Sequence, residues 1–265
     1  MEQIPVVILC GGQGTRMRGS TLTKKELVEI GGRPIIWHVM RIFSAYGYNR
    51  FILTLGYQAD QLKQYFLAYE AMQRDFTVQL GGPGNHGGEP QIQYHGEPEH
   101  PNWQVSLVDT GLHTEKASRI ARVANLLTAD RFFVTYGDGV GNIDLPALVD
   151  FHRQHGKMAT ITGVHVPFQY GTLQVDEAQQ VLRYEQKPVL PYWINAGFML
   201  FDRPVLDLMR TGRDVHLERE VLPQLAAQGE LMLYPHHGFW RSMDTLKDTQ
   251  VLEELWQQSA PWLVW

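Results

Sequence analysis

Three sets of residues in this sequence have the types and spacing for chemistry on phosphates. The first is Gly11-Gly12-Gln13-Gly14-Thr15-Arg16, directly after the apolar run Val6-Val7-Ile8-Leu9-Cys10. Glycine has no β-carbon and tolerates positive φ, so successive backbone N–H groups can converge on an anion. The guanidinium of Arg16 adds a planar fork of donors that matches phosphate oxygens. The second is Asp138, set between Gly137 and Gly139 behind the run Phe132-Phe133-Val134-Thr135-Tyr136. Mg²⁺ prefers one or two carboxylates together with substrate phosphates, and a strand end is where an α/β fold delivers such a carboxylate. The third is Asp244, in the late stretch Gly238-Phe239-Trp240-Arg241-Ser242-Met243-Asp244-Thr245. Together they suit a triphosphate cradle with a metal site. At this level a tight turn with a solvated Arg16, and a glycine turn with a hydrogen-bonded Asp138, stay open as alternatives.

These groups need elements to position them. Five consecutive apolar residues at 6–10 predict a buried strand of a parallel sheet. After Pro34, residues Ile35, Ile36, Val39, Met40, Ile42 and Phe43 recur at helical spacing and predict a helix that closes near Gly47. Phe51 to Leu55 predicts a second strand, and Gln61 to Met72 a second helix. This order is that of a doubly wound sheet, whose ligands bind beyond the carboxyl ends of the strands. It puts the glycine loop and Gly56-Tyr57 on one edge. Further strands are expected at 105–109, 131–136, 158–164, 192–201 and 231–234. Helices are expected at 117–127, 145–155, 204–209, 217–228 and 246–256, with a hairpin from 171–175 and 181–184. Residues 81–102, rich in Gly, Pro, His and Asn, predict a long irregular insertion with a short strand near Ile92-Gln93-Tyr94. It would lie over a ligand or between copies of the chain, and a homo-oligomer is expected.

At 265 residues, with 44% hydrophobic and 19% charged residues, the chain can bury one large core as a single α/β domain. Its net charge of −5 argues against a general nucleic-acid or membrane-surface binder. No apolar run is long enough to span a bilayer, and the sequence opens on a strand without a signal peptide. One cysteine cannot form an internal disulfide, so the cytoplasm is the expected compartment. Cys10 lies within the apolar strand and reads as a small core residue. The glycine loop lacks the lysine of a P-loop and the third glycine of the dinucleotide fingerprint. A serine hydrolase would need Gly-x-Ser-x-Gly, a zinc protease His-Glu-x-x-His, and a glycosyltransferase Asp-x-Asp; none occurs.

In order along essentially the whole chain, the motifs resemble the sugar-1-phosphate nucleotidylyltransferases, above all the branch that joins CTP to glucose 1-phosphate. The likeness rests on the glycine-arginine loop, Val28-Glu29-Ile30-Gly31-Gly32-Arg33-Pro34, Leu107-Val108-Asp109-Thr110-Gly111, Tyr136-Gly137-Asp138-Gly139-Val140, Ile194-Asn195-Ala196-Gly197-Phe198, the stretch around Asp244, and Ala260-Pro261-Trp262. It implies a Rossmann-like nucleotidyltransferase fold with a small β-rich sugar-binding portion. The nucleotide-binding part would span about 1–140 and the sugar-phosphate part about 141–245, with a C-terminal helix at 246–258. It also implies that Arg16, Lys25 and Asp138 are catalytic. Leu9, Gly11, Gly12, Gly14, Thr15, Arg16, Thr110, Gly111 and Asp138 would bind the nucleotide, with Mg²⁺ on Asp138 and Asp244. Gln186, Lys187, Asn195 and Gly197 would bind the sugar 1-phosphate.

This chain departs from the family's pattern in four places. Lys24-Lys25-Glu26-Leu27 replaces a Lys-Pro-Lys-Pro stretch, Lys116-Ala117-Ser118-Arg119 a Thr-Gly-Gly-Arg, Gln186-Lys187-Pro188 a Glu-Lys-Pro, and Asn195-Ala196-Gly197 an Asn-Gly-Gly. Ala117 and Ser118 are expected to narrow the approach to the nucleobase. Gln186 is expected to alter recognition of the acceptor. The rival readings are the same chemistry on another phosphorylated acceptor or with another nucleoside triphosphate, and a nucleotide-binding or regulatory homologue without catalysis.

Overall fold

The computed structural model describes residues 3–12, 23–80, 91–97 and 102–265. The chain starts with β1 (Val6–Cys10), buried along its whole length. A 3₁₀ turn at Lys25–Leu27 leads to the short pair β2 (Glu29–Ile30) and β3 (Arg33–Pro34), and Pro34 then caps α1 (Ile35–Ala45). Next come β4 (Arg50–Leu55), α2 (Ala59–Leu67), α3 (Tyr69–Gln73), β5 (Phe76–Gln79), β6 (Gln91–Tyr94) and β7 (Gln104–Asp109). The middle of the chain holds α4 (Lys116–Arg122), β8 (Arg131–Tyr136), β9 (Gly139–Gly141), α5 (Leu145–His155) and β10 (Ala159–Val164). A hairpin of β11 (Gly171–Val175) and β12 (Val181–Gln186) precedes β13 (Ile194–Asp202). The chain ends with α6 (Leu206–Met209), α7 (Leu222–Ala227), β14 (Leu231–Pro235), β15 (Trp240–Ser242) and α8 (Leu246–Gln258).

Seven strands make the central sheet in the order β14-β10-β13-β8-β1-β4-β7. β1 pairs in parallel with β4 and β8, β4 with β7, and β10 with β14; β13 alone runs against its neighbours. The period-two alternation of a strand explains how one sheet feeds two cores. Val6, Ile8 and Cys10 face a core completed by α1, α5 and α8, whereas Val7 and Leu9 face one completed by α4, α6 and α7. This is the doubly wound, mostly parallel architecture expected, with the β11–β12 hairpin as a small β-rich addition. Among the described residues no helix is long and apolar enough to cross a membrane.

Four helices differ from expectation, and the one expected at 204–209 starts as a 3₁₀ turn, Arg203–Val205, ahead of α6. The helix expected at 61–72 breaks at Ala68 into α2 and α3, which turns the Tyr69 hydroxyl to accept the Trp37 indole N–H at 2.9 Å. The helix expected at 117–127 stops at Arg122 and continues as a 3₁₀ turn, Ala124–Leu126. The helix expected at 217–228 opens with a widened π turn, Leu217–Val221. Pro223 has no N–H to give the preceding turn, and the wider winding absorbs that loss. In the 81–102 insertion, β6 forms near the expected position and pairs with β5, a strand not expected from the sequence although Phe76-Thr77-Val78-Gln79 alternates apolar and polar residues. Residues 81–90 and 98–101 lie outside the described residues.

Candidate active site

The carboxyl ends of β1, β4, β7 and β8 meet at one sheet edge, and a cavity of about 410 Å³ opens there. Leu9, Gly11 and Gly12 edge it, Lys25, Glu26 and Asp138 close one end, and Lys116, Arg119 and Tyr136 stand on another wall with the loop 112–115. A Cβ on Gly12 would meet open space, so that residue presents bare backbone to the cavity. Gln13, Gly14, Thr15 and Arg16 lie outside the described residues.

Arg119 holds this edge together. The residue is only 4% exposed, and its guanidinium donates to the carbonyls of Leu55 at 2.9 Å, Gly111 at 2.7 Å, and Gly11 and Leu112 at 3.3 Å. It also donates to the Thr110 hydroxyl at 2.8 Å, which passes a hydrogen bond on to Leu55. The loops after β1, β4 and β7 are thus tied to one cation. A Cβ on Gly11 would lie 2.2 Å from the guanidinium carbon, so glycine is what lets the backbone come this close. Burial, and then Arg122, lower the Arg119 pKa, but a guanidinium stays charged. The result is a fixed positive charge in the cavity wall. Thr110 is fully buried and Gly111 sits at φ +88°, both against Arg119.

At the other end, two aspartates 106 positions apart by number (244 − 138) meet across Lys25. Lys25 Nζ lies 2.6 Å from Asp138 Oδ2 and 2.8 Å from Asp244 Oδ1. Burial alone would lower the lysine pKa, but the charge of Asp138 and the hydrogen bonds to both carboxylates outweigh it and raise the pKa. The meeting is a consequence of strand register. β9 pairs antiparallel with β15, Gly139 opposite Ser242 and Gly141 opposite Trp240. Asp138 immediately precedes one strand and Asp244 follows the other, and the Met243 amide closes the ribbon on the Asp138 carbonyl at 2.9 Å. Ser242 Oγ donates to Asp244 Oδ2 at 3.0 Å.

The neighbouring lysine has a different place. Lys24 is 2% exposed, paired with Glu26 at 3.3 Å and donating to the Tyr57 carbonyl at 2.8 Å. It anchors the 3₁₀ turn that aims Lys25. A Cβ on Gly137 would come within 2.8 Å of Glu26 Cγ and 3.1 Å of Cys10 Sγ, so the glycine before Asp138 is required by packing. Cys10 is fully buried, and burial followed by the charge of Glu26 pushes its thiol pKa well up; no thiolate forms there.

β13 packs against Tyr136, one of the residues that line the cavity. Between Ile161 and Gly163 of β10 the pairing register jumps from Met199 to Asn195, a bulge that leaves Gly197 at φ +81°. Its absent side chain makes room for Tyr136, whose Cδ2 would be 2.3 Å from a Cβ. Asn195 Nδ2 reaches the Tyr136 hydroxyl at 3.5 Å, and its Oδ1 accepts the Gly197 amide at 2.8 Å. Trp240 Nε1 donates to the Ala196 carbonyl at 2.9 Å and so ties β13 to the aspartate ribbon.

Of the residues singled out in the sequence, Leu9, Gly11, Gly12, Lys25 and Asp138 line one cavity. Asp244 joins them through Lys25, and Asn195 and Gly197 through Tyr136. Thr110 and Gly111 stand behind Arg119. Gln186 and Lys187 are exposed at the end of β12, outside the cavity lining, and Lys187 has a left-handed φ of +52°. The expected narrowing by Ala117 and Ser118 does not occur. Both are buried on the far side of α4, where Ser118 Oγ accepts the Val215 amide at 2.8 Å. The side chains of that segment that line the cavity are Lys116 and Arg119, and Lys116 is the one that no reading of the sequence had singled out. Sequence reasoning also missed the Glu218 carboxylate that accepts from both Lys116 and Tyr136. A charged residue on the first turn after a chemistry-bearing loop was the available signal for Lys116; Glu218 had none.

A strand-delivered aspartate beside glycine backbone, with a cation between two carboxylates, offers the donors that chemistry on nucleoside phosphates needs. The nucleotidyl transferase family profile matches residues 5–256, and the chain belongs to that family. It is 41% identical to the glucose-1-phosphate cytidylyltransferase of Salmonella typhi across 98% of both chains. It is 38% identical to the protein named "Probable glucose-1-phosphate cytidylyltransferase" in Bacillus subtilis (strain 168), over 98% of this chain and 99% of that one. The crystal structure of HddC from Yersinia pseudotuberculosis superposes with a TM-score of 0.69 over 95% of this chain and 98% of that one, at 20% identity, a likeness of fold.

Proposed function

We propose that this chain transfers a cytidylyl group from CTP to glucose 1-phosphate and releases pyrophosphate. The observation that carries the reading is the Lys25 ammonium held between Asp138 and Asp244, at 2.6 and 2.8 Å, beside the glycine-edged cavity. The 41% identity to a glucose-1-phosphate cytidylyltransferase supports the choice of base and acceptor. An oxygen of the sugar phosphate attacks the α-phosphorus in line, a P–O bond forms, and the bond to pyrophosphate breaks. This needs no covalent enzyme intermediate, so the protein's task is orientation and charge neutralisation.

Leu9, Gly11 and Gly12 face the nucleotide, the family resemblance assigns Gly14, Thr15 and Arg16 to the triphosphate, and Arg119 adds positive potential from the cavity wall. Thr110 and Gly111 support the nucleobase end. Lys25 neutralises charge at the α-phosphate. Asp138 and Asp244 fit a divalent metal, because two hard oxygen donors already converge on one cation. Mg²⁺ bound there supplies charge neutralisation on phosphate oxygens. Asn195 and Gly197, with Gln186 and Lys187 from the hairpin, form the acceptor side. In this reading one domain carries a nucleotide part at about 1–140 and a sugar-phosphate part at about 141–245, closed by α8.

Pyrophosphate release with Mg²⁺, glucose 1-phosphate and each common nucleoside triphosphate tests the proposal, with CTP expected to react fastest. Asp138→Asn should lower turnover by about 100-fold or more, the scale of losing one electrostatic contact in a transition state, at an unchanged melting temperature. Full activity in that variant removes its catalytic role. Nucleotide binding without turnover on any sugar phosphate would favour the non-catalytic homologue.

A further inference from the structure

Tyr136 is shared by two halves of the site. It lines the cavity beside Gly11, and its ring and hydroxyl meet Gly197 and Asn195 of β13. What fixes Tyr136 is Glu218, whose Oε1 accepts the phenol at 2.7 Å. The same oxygen accepts the ammonium of Lys116, which also stands 4.8 Å from the centroid of the Tyr136 ring. The second carboxylate oxygen, Oε2, has no hydrogen-bond donor among the described residues. His216 Nδ1 is 3.1 Å away, but that nitrogen accepts the Arg219 amide and so has no proton to give the carboxylate. Neutralisation of a half-buried carboxylate at the edge of the cavity therefore falls to Lys116. Burial would raise the Glu218 pKa, yet the hydrogen bonds from Lys116 and Tyr136 bring it below the ordinary carboxylate range, so the group is charged at neutral pH.

We propose that Lys116 is a positioning residue for nucleotidyl transfer: it cancels the charge of Glu218, so that Glu218 can orient Tyr136 between the two substrates without repelling their phosphates. Lys116 acts through Glu218 and does not itself ligate a phosphate. The inference rests on the proposed division of the site into a nucleotide cavity and an acceptor wall at Asn195 and Gly197.

Three proteins decide it: wild type, Lys116→Met, and the double variant Lys116→Met/Glu218→Gln. Calorimetry measures CTP affinity with Mg²⁺, and steady-state pyrophosphate release gives KM and kcat for glucose 1-phosphate. Lys116→Met leaves a bare carboxylate and should weaken CTP binding and raise KM by about tenfold each, with a smaller change in kcat. The glutamine of the double variant still accepts the Tyr136 hydroxyl but carries no charge to cancel, so both constants should return to within about threefold of wild type. A double variant as impaired as Lys116→Met would mean that the ammonium grips substrate directly, and would overturn the proposal. So would a Lys116→Met protein equal to wild type. A wild type that binds CTP but releases no pyrophosphate counts against the function proposed above, and the calorimetry of the three proteins still decides the role of Lys116.

Discussion

Lys25 is the residue in which the resting site stores its charge balance. An ammonium within 3 Å of two carboxylates occupies the position that a divalent cation would take, so the two compete. Lys25→Met should therefore bind Mn²⁺ about tenfold more tightly in the absence of nucleotide, a gain of about 1.4 kcal/mol, as read by electron paramagnetic resonance. Turnover should meanwhile fall by about 100-fold. Unchanged metal affinity would mean that the lysine does not guard the carboxylates. Gly197 is a second position where one atom decides the outcome. Alanine there must hold a left-handed backbone, costing about 1–2 kcal/mol, and its Cβ must push Tyr136 aside. Chemical denaturation should show that loss, and KM for glucose 1-phosphate should rise beyond what the stability change explains.

The β9–β15 ribbon is the element that makes a site from two distant aspartates. Its narrowest point is Gly141, where a Cβ would stand 2.4 Å from Ile143 Cδ1 and 2.9 Å from the Phe239 carbonyl oxygen. Gly141→Val forces the strands apart without replacing any candidate catalytic residue. Overpacking of this kind costs about 1–3 kcal/mol, and the fold should survive it. Pyrophosphate release should fall far more than stability does, because Asp138 and Asp244 no longer converge. Equal losses of stability and activity would instead mark the ribbon as ordinary structure. The widened turn at 217–221 works in the same way, since its winding around Pro223 carries Glu218 to Tyr136.

Across the whole molecule, the C-terminal segment is clamped back onto the first helix. Trp262 is fully buried, stacks on Phe239 with ring centroids 5.7 Å apart, and donates its indole N–H to His38 Nδ1 at 3.2 Å. His38 Nε2 lies 2.8 Å from the Ile30 carbonyl, so the partners require a neutral ring protonated at Nε2. Burial pushes the His38 pKa down to about 4, against an ordinary value of 6.5. A group whose folded pKa is depressed contributes stability that is present above the unfolded pKa and lost as pH falls. The full effect is about 3 kcal/mol, of which about 2 kcal/mol should be gone by pH 5. Buried His152, also lowered by burial, pulls in the same direction. Denaturation curves at pH 7 and pH 5 should show the drop, and Trp262→Ala should cost about 3–5 kcal/mol at pH 7.

The sequence alone determined the doubly wound sheet, because its strands are apolar runs and its helices apolar stripes, and burial of those patterns admits few arrangements. It determined the glycine backbone at 11 and 12 and the importance of Asp138, since both are local in the chain. Only the tertiary structure decided that Asp138 and Asp244 share one cation, because strand register leaves no trace in composition or spacing. It also decided that Lys24 is buried while Lys25 reaches the site, that Ala117 and Ser118 turn away while Lys116 turns in, and that Arg119 binds three loops together. Each of those outcomes is set by which way a side chain points once distant segments pack, and no residue carries that direction by itself.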